Sequence, residues 1–133
     1  MISREKLEGY LVKLQLTFQE AGKGTWVVRE PEKGLASLFV MMADPLVVLR
    51  LTVMEAPKKN REQLFEELLH LNATDMVHGA YALDGKNVVI VDTLEGDTLD
   101  VEELQASIEA ISLAVVQHHG INAKYPGGPH GHT

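Results

Sequence analysis

The chain has no cysteine, which excludes disulfides, thiolate-held metals and cysteine nucleophiles together. It has no apolar run near the ~20 residues that a membrane-spanning helix requires, and no apolar leader follows Met1. The expectation is therefore a soluble, cytoplasmic protein with no membrane partner. Positive charge is also scarce. Twelve Lys and Arg stand against nineteen Asp and Glu, for a net charge of -7. No clustered cationic footprint is present to displace counterions, so nucleic acid is not expected as a partner. The phosphate loop G-x-x-x-x-G-K-[ST] is missing, as are G-x-G-x-x-G, G-x-S-x-G and H-E-x-x-H.

What remains is a chain of 133 residues, 45% hydrophobic and 23% charged. This is ordinary for one globular domain that folds without a metal or disulfide. The charge is uneven: residues 1–59 carry nine basic and seven acidic side chains, residues 60–133 three and twelve. The acidic half reads as a solvated surface that could also attract a basic partner.

Spacing predicts the elements in turn. From Ser3 to Gly22, Leu7, Tyr10, Leu11, Leu14 and Phe18 form one helical stripe, with Ser3 as its cap and no reciprocal capping box. Three strands are predicted at 25–29, 35–42 and 46–55, separated by Pro31 and by Ala43-Asp44-Pro45. A helix opens at Asn60, read as its side-chain cap, and carries Leu64, Phe65, Leu68, Leu69 and Leu71 to about Asn72. Asp84-Gly85 between runs 79–83 and 86–94 predicts a tight hairpin. Asp100, with Glu103 behind it, caps a last helix carrying Val101, Leu104, Ile108, Ile111 and Val115, which ends at Gly120. The order α-β-β-β-α-β-β-α predicts an α+β fold with one mostly antiparallel, five-stranded sheet packed by helices. The domain is placed at 1–120, and a Gly/Pro/His-rich C-terminal tail at 121–133.

Several strands are apolar on both sides. Leu38, Val40 and Met42 alternate with Phe39 and Met41; Val88 and Ile90 alternate with Val89 and Val91. A sheet covered on one face only should be polar on the other, so the second face needs cover. The middle helix, a second copy of the chain and a segment of another protein are the three candidates. On the partner reading, Phe39, Met41, Val48 and Arg50 form the binding surface: methionine adapts to varied apolar sequences, and Arg50 can meet a partner's carboxylate or carbonyls.

Catalytic and metal-binding arrangements are lacking in the pattern. His118 and His119 are adjacent on a helix and point about 100° apart, so they cannot chelate as an i,i+4 pair does. His130 and His132 lie in the tail, and His70 and His78 flank the end of the middle helix, where histidine commonly serves the helix dipole. Glu66-Glu67 and Glu102-Glu103 are helical-surface neighbours. No catalytic residue, metal ligand or cofactor is assigned, and an enzyme is not expected.

The stretch from Asn60 to about Gln117 resembles the type III secretion chaperone family of the Tir-chaperone type and the related YbjN-like regulators. The residues that carry the likeness begin with Leu68-Leu69-His70-Leu71-Asn72 and Gly79-Ala80-Tyr81-Ala82-Leu83-Asp84-Gly85. They continue through Val88-Val89-Ile90-Val91 and Asp100-Val101-Glu102-Glu103-Leu104. The resemblance implies a small acidic homodimer that holds an extended segment of a partner protein on an apolar surface. The alternative is a small-ligand sensor with an apolar pocket on the sheet.

Overall fold

The computed structural model describes residues 1–125. Helix α1 (Arg4–Lys13) is followed by strands β1 (Phe18–Gly22), β2 (Thr25–Glu30), β3 (Leu35–Ala43) and β4 (Leu46–Glu55). Then come α2 (Arg61–Thr74), β5 (Ala80–Asp84), β6 (Asn87–Glu95), α3 (Val101–His118) and α4 (Gly120–Lys124). The α+β class holds, but the sheet has six strands rather than five, in the order β1-β2-β3-β4-β6-β5, with every pair antiparallel.

The added strand lies inside the segment read as one long helix. Ser3 Oγ accepts from the Lys6 backbone N–H, as expected of the cap, but α1 stops at Lys13. Gln15 then adopts φ 59°, a left-handed conformation that no helix continues through. Leu14 and Phe18 sit four residues apart and so fit the helical stripe although they lie beyond it. The chain instead returns as β1, which pairs Phe18 with Val28 and Glu20 with Trp26. The Glu30 carboxylate accepts the Thr17 N–H at 2.6 Å, fixing this turn to the end of β2.

Two smaller differences affect which residues share a face. The β5–β6 loop is Gly85-Lys86, one residue later than Asp84-Gly85, because Asp84 pairs with Asn87; Gly85 takes the positive φ of 61°. In β4 a bulge between Thr52 and Met54 turns Met54 into the core. Asn60 does precede α2, but at φ 61° and without a side-chain cap bond. The capping box at Asp100 and Glu103 forms in full.

One face of the sheet is the core. Trp26, Val28, Leu38, Val40, Leu49, Leu51 and Ile90 pack with Leu7 and Leu11 of α1, Leu104, Ile108 and Ile111 of α3, and Leu64 and Leu68 of α2. Polar ties hold these layers together: Trp26 Nε1 donates to Glu8 at 3.0 Å, Tyr10 to the Leu99 carbonyl at 3.1 Å, and Ser107 to Asp92 at 2.6 Å. At the C-terminal end, α4 occupies the first residues assigned to a tail. Tyr125 is buried, and its hydroxyl donates to Glu67 at 2.8 Å. The rest of the expected tail, with His130 and His132, lies outside the described residues.

Candidate functional site

Strand alternation leaves the second face of the sheet to the side chains that point away from the core. The pairings bring the four sequence-predicted residues together there. Phe39 lies opposite Arg50, and Met41 lies opposite Val48. Their row continues through partners that the sequence reading did not assign: Val27 beside Phe39, then Val91 beside Arg50, then Ala80 beside Val91. Val27 and Val89 are buried yet stand apart from the core cluster. Phe39 is 38% exposed, and Met41 and Val48 are half-buried. Leu64 and Leu68 of the middle helix join the core cluster with the residues of the opposite face.

Arg50 differs from the expectation in one respect. Its guanidinium donates to Asp84 of β5 at 2.8 Å, so it already holds a carboxylate within the chain. Its Nε is buried with no hydrogen-bond partner among the described residues. The pair could not be read from the sequence because the two residues lie 34 positions apart and become neighbours only through the β4–β6–β5 order. The face therefore offers an apolar strip with one internally neutralised cation on its β5 side.

The middle helix lies instead along the outer edge of β5. Asn72 Nδ2 donates to the Tyr81 carbonyl at 3.1 Å, and the Tyr81 N–H donates to Asn72 Oδ1 at 2.7 Å. Beside this contact is an apolar groove of about 270 Å³ lined by Phe65, Leu68, Leu69, Tyr81 and Leu83. The groove is away from the four predicted residues.

His118 joins a polar chain that spacing did not reveal. Its Nδ1 is 2.7 Å from the Tyr81 hydroxyl, and its Nε2 is 3.2 Å from Asp75. A carboxylate only accepts, so Nε2–H donates to Asp75, and in that tautomer Nδ1 accepts a hydrogen bond from the Tyr81 hydroxyl. Burial, followed by the nearby Asp75 charge, pushes the Tyr81 hydroxyl up to about 12. The Thr74 hydroxyl and then His118 hold Asp75 below the usual carboxylate range. The chain ties β5 and α3 to the C-terminal end of α2. No cluster of three or more His, Cys, Asp or Glu that could hold a metal occurs among the described residues. No helix among them is long and apolar enough to cross a membrane.

Comparison with known proteins gives the fold its relatives. The family model CesT_Tir_1 matches residues 2–125. YbjN from E. coli is similar at 16% identity and a TM-score of 0.70, over 89% of this chain and 92% of that one. A chain of the heterodimeric ExoU–SpcU complex, from the type III secretion system of Pseudomonas aeruginosa, is similar at 13% identity and a TM-score of 0.70. That likeness covers 86% of this chain and 96% of that one. The HopA1–SchA chaperone–effector complex follows at 13% identity and 0.62, over 86% and 89%. No curated protein matches the sequence.

Proposed function

The chain belongs to the CesT_Tir_1 family, and from that premise we propose that it is a non-enzymatic, homodimeric protein-binding module of the secretion-chaperone or YbjN-like kind. It holds an extended segment of a partner protein on the open face of the sheet, where Phe39, Met41, Val48 and Arg50 meet it. The single observation that supports this reading is the apolar patch that Val27, Phe39, Met41, Val48 and Val91 form around Arg50 on the side of the strands away from the core. Each large side chain that such a face buries against a partner is worth ~1.5–3 kcal/mol. Two of the similar folds come from complexes between two proteins, one of them named a chaperone and its effector. The acidic surface suits a partner with basic flanks.

The test uses the double substitution Met41→Asp with Val48→Asp. A partner captured by the wild-type chain in its native host is identified by mass spectrometry, and its affinity for both forms is measured by calorimetry. The expected result is lost binding with far-UV dichroism and melting temperature close to wild type. Unchanged binding, or an unfolded variant, overturns the assignment. A dilution series in light scattering tests the homodimer, whose interface should bury at least ~1,200 Å²; a 14.7 kDa species at every concentration removes it. Were the ligand a small apolar molecule instead, it would fit the groove beside Leu69 and Leu83, and the double substitution would leave its binding intact.

A further inference from the structure

Two separate ties from α2 converge on one residue at the edge of the sheet. The backbone N–H and C=O of Tyr81 are both taken by the carboxamide of Asn72, so they point away from β6 and toward the free side of β5. A carboxamide offers one acceptor and one donor, the same pair that the peptide of a neighbouring strand presents. The second tie holds the Tyr81 side chain through His118 to Asp75, the residue that closes α2. Behind this point the chain enters β5 through Gly79 at φ 78°. A Cβ there would come within 2.8 Å of the Val91 carbonyl oxygen, so only glycine allows this approach. The next outward-facing position of β5 is Leu83, which is 49% exposed. Without its cover, this edge is an apolar strand end of the kind that pairs with another chain.

We propose that Asn72 is an edge guard: its side chain stands in for a neighbouring strand at Tyr81 and keeps β5 from pairing with β5 of a second copy. Antiparallel β5–β5 pairing about a two-fold axis is self-complementary, so the chain itself supplies the partner that the guard excludes. The guard acts at the sheet edge and is read on the isolated chain. Its failure therefore leaves the open-face reading untouched, and the reverse also holds.

The experiment compares wild type with Asn72→Leu, which keeps helix-forming tendency and bulk but removes both bonds. Amide exchange across 80–84 should become roughly tenfold faster at low concentration, as the loss of a net hydrogen bond predicts. Light scattering should show a larger, concentration-dependent species than the wild type forms. Adding Leu83→Pro, which removes an outward N–H while leaving the β6 pairing, should restore the wild-type size. Wild-type exchange and wild-type size in Asn72→Leu overturn the proposal, as does a larger species that persists with Leu83→Pro. If Asn72→Leu fails to fold, Asn72→Asp serves: it keeps the acceptor for the Tyr81 N–H and loses the donor. Exchange in 80–84 and size that match wild type in that variant also overturn the proposal.

Discussion

The two faces of one sheet are built from the same strands and both carry large apolar side chains, yet they behave differently. On the core face, Leu38, Val40, Leu49, Leu51 and Ile90 are closed off by α1, α2 and α3. On the other, Phe39, Met41, Val48 and Val91 are equally apolar, but they remain partly exposed. The difference teaches that apolar alternation on both sides does not imply two helical layers. Helices α1 and α3 are joined to the sheet by half-buried polar ties at Glu8–Trp26 and Ser107–Asp92. The third, α2, packs Leu64 and Leu68 into the core and also reaches the sheet edge at Tyr81 through Asn72.

The comparison is broken most directly by substituting neighbours in one strand. Leu49→Ala, on the core face, should cost ~2–5 kcal/mol through lost burial and a residual cavity. Val48→Ala, one residue away on the open face, should cost under ~1 kcal/mol, since surface-side changes are small. Urea unfolding of both variants decides it, and equal losses would mean that the open face is covered in solution.

A smaller effect sharpens the role of α3 as the cover. Asp100→Ala removes one half of the capping box and should cost ~1 kcal/mol without altering the open face. Thermal melts should show the loss, and partner affinity should not change.

Smaller still is the ion pair on the open face. Asp84→Asn releases Arg50; an exposed pair of this type contributes ~0.2–1 kcal/mol and is screened by salt. Denaturation at low and high salt should show the wild-type advantage shrinking as salt rises. An advantage that is unchanged at high salt would place the pair in a drier setting than its exposure indicates.

The last effect is a change of slope with pH. The Thr17 backbone N–H is the main cause of a Glu30 carboxyl held below its ordinary range. A depressed carboxylate stabilises the fold above its unfolded pKa and loses that contribution as pH falls through the lower, folded value. Glu30→Gln should therefore be less stable than wild type near neutrality and lose less on acidification. Parallel stability curves for the two proteins would contradict this.

Much of the architecture was legible because it depends on local periodicity. The alternation in 46–55 sets Leu49 and Leu51 against Val48 and Arg50, and a strand's pleat leaves no other arrangement. The Asp100–Glu103 box likewise needs only three residues of separation. Strand β1 was not legible, since Leu14 and Phe18 satisfy a helical spacing that the left-handed Gln15 interrupts. At the candidate site, Phe39, Met41, Val48 and Arg50 could be placed on one side of two adjacent strands from alternation alone. Val91, Ala80 and Asp84 could not be added to them, because register across β4, β6 and β5 is a long-range property.

By itself the sequence determined most of the strands and the apolar alternation within β3, β4 and β6, since these follow from steric and hydrophobic preferences among near neighbours. Only the tertiary structure decided which apolar side the helices would close. That outcome rests on contacts between distant residues: Asn72 on Tyr81, and His118 between Tyr81 and Asp75. These set α2 against the edge of β5 while its Leu64 and Leu68 stay in the core.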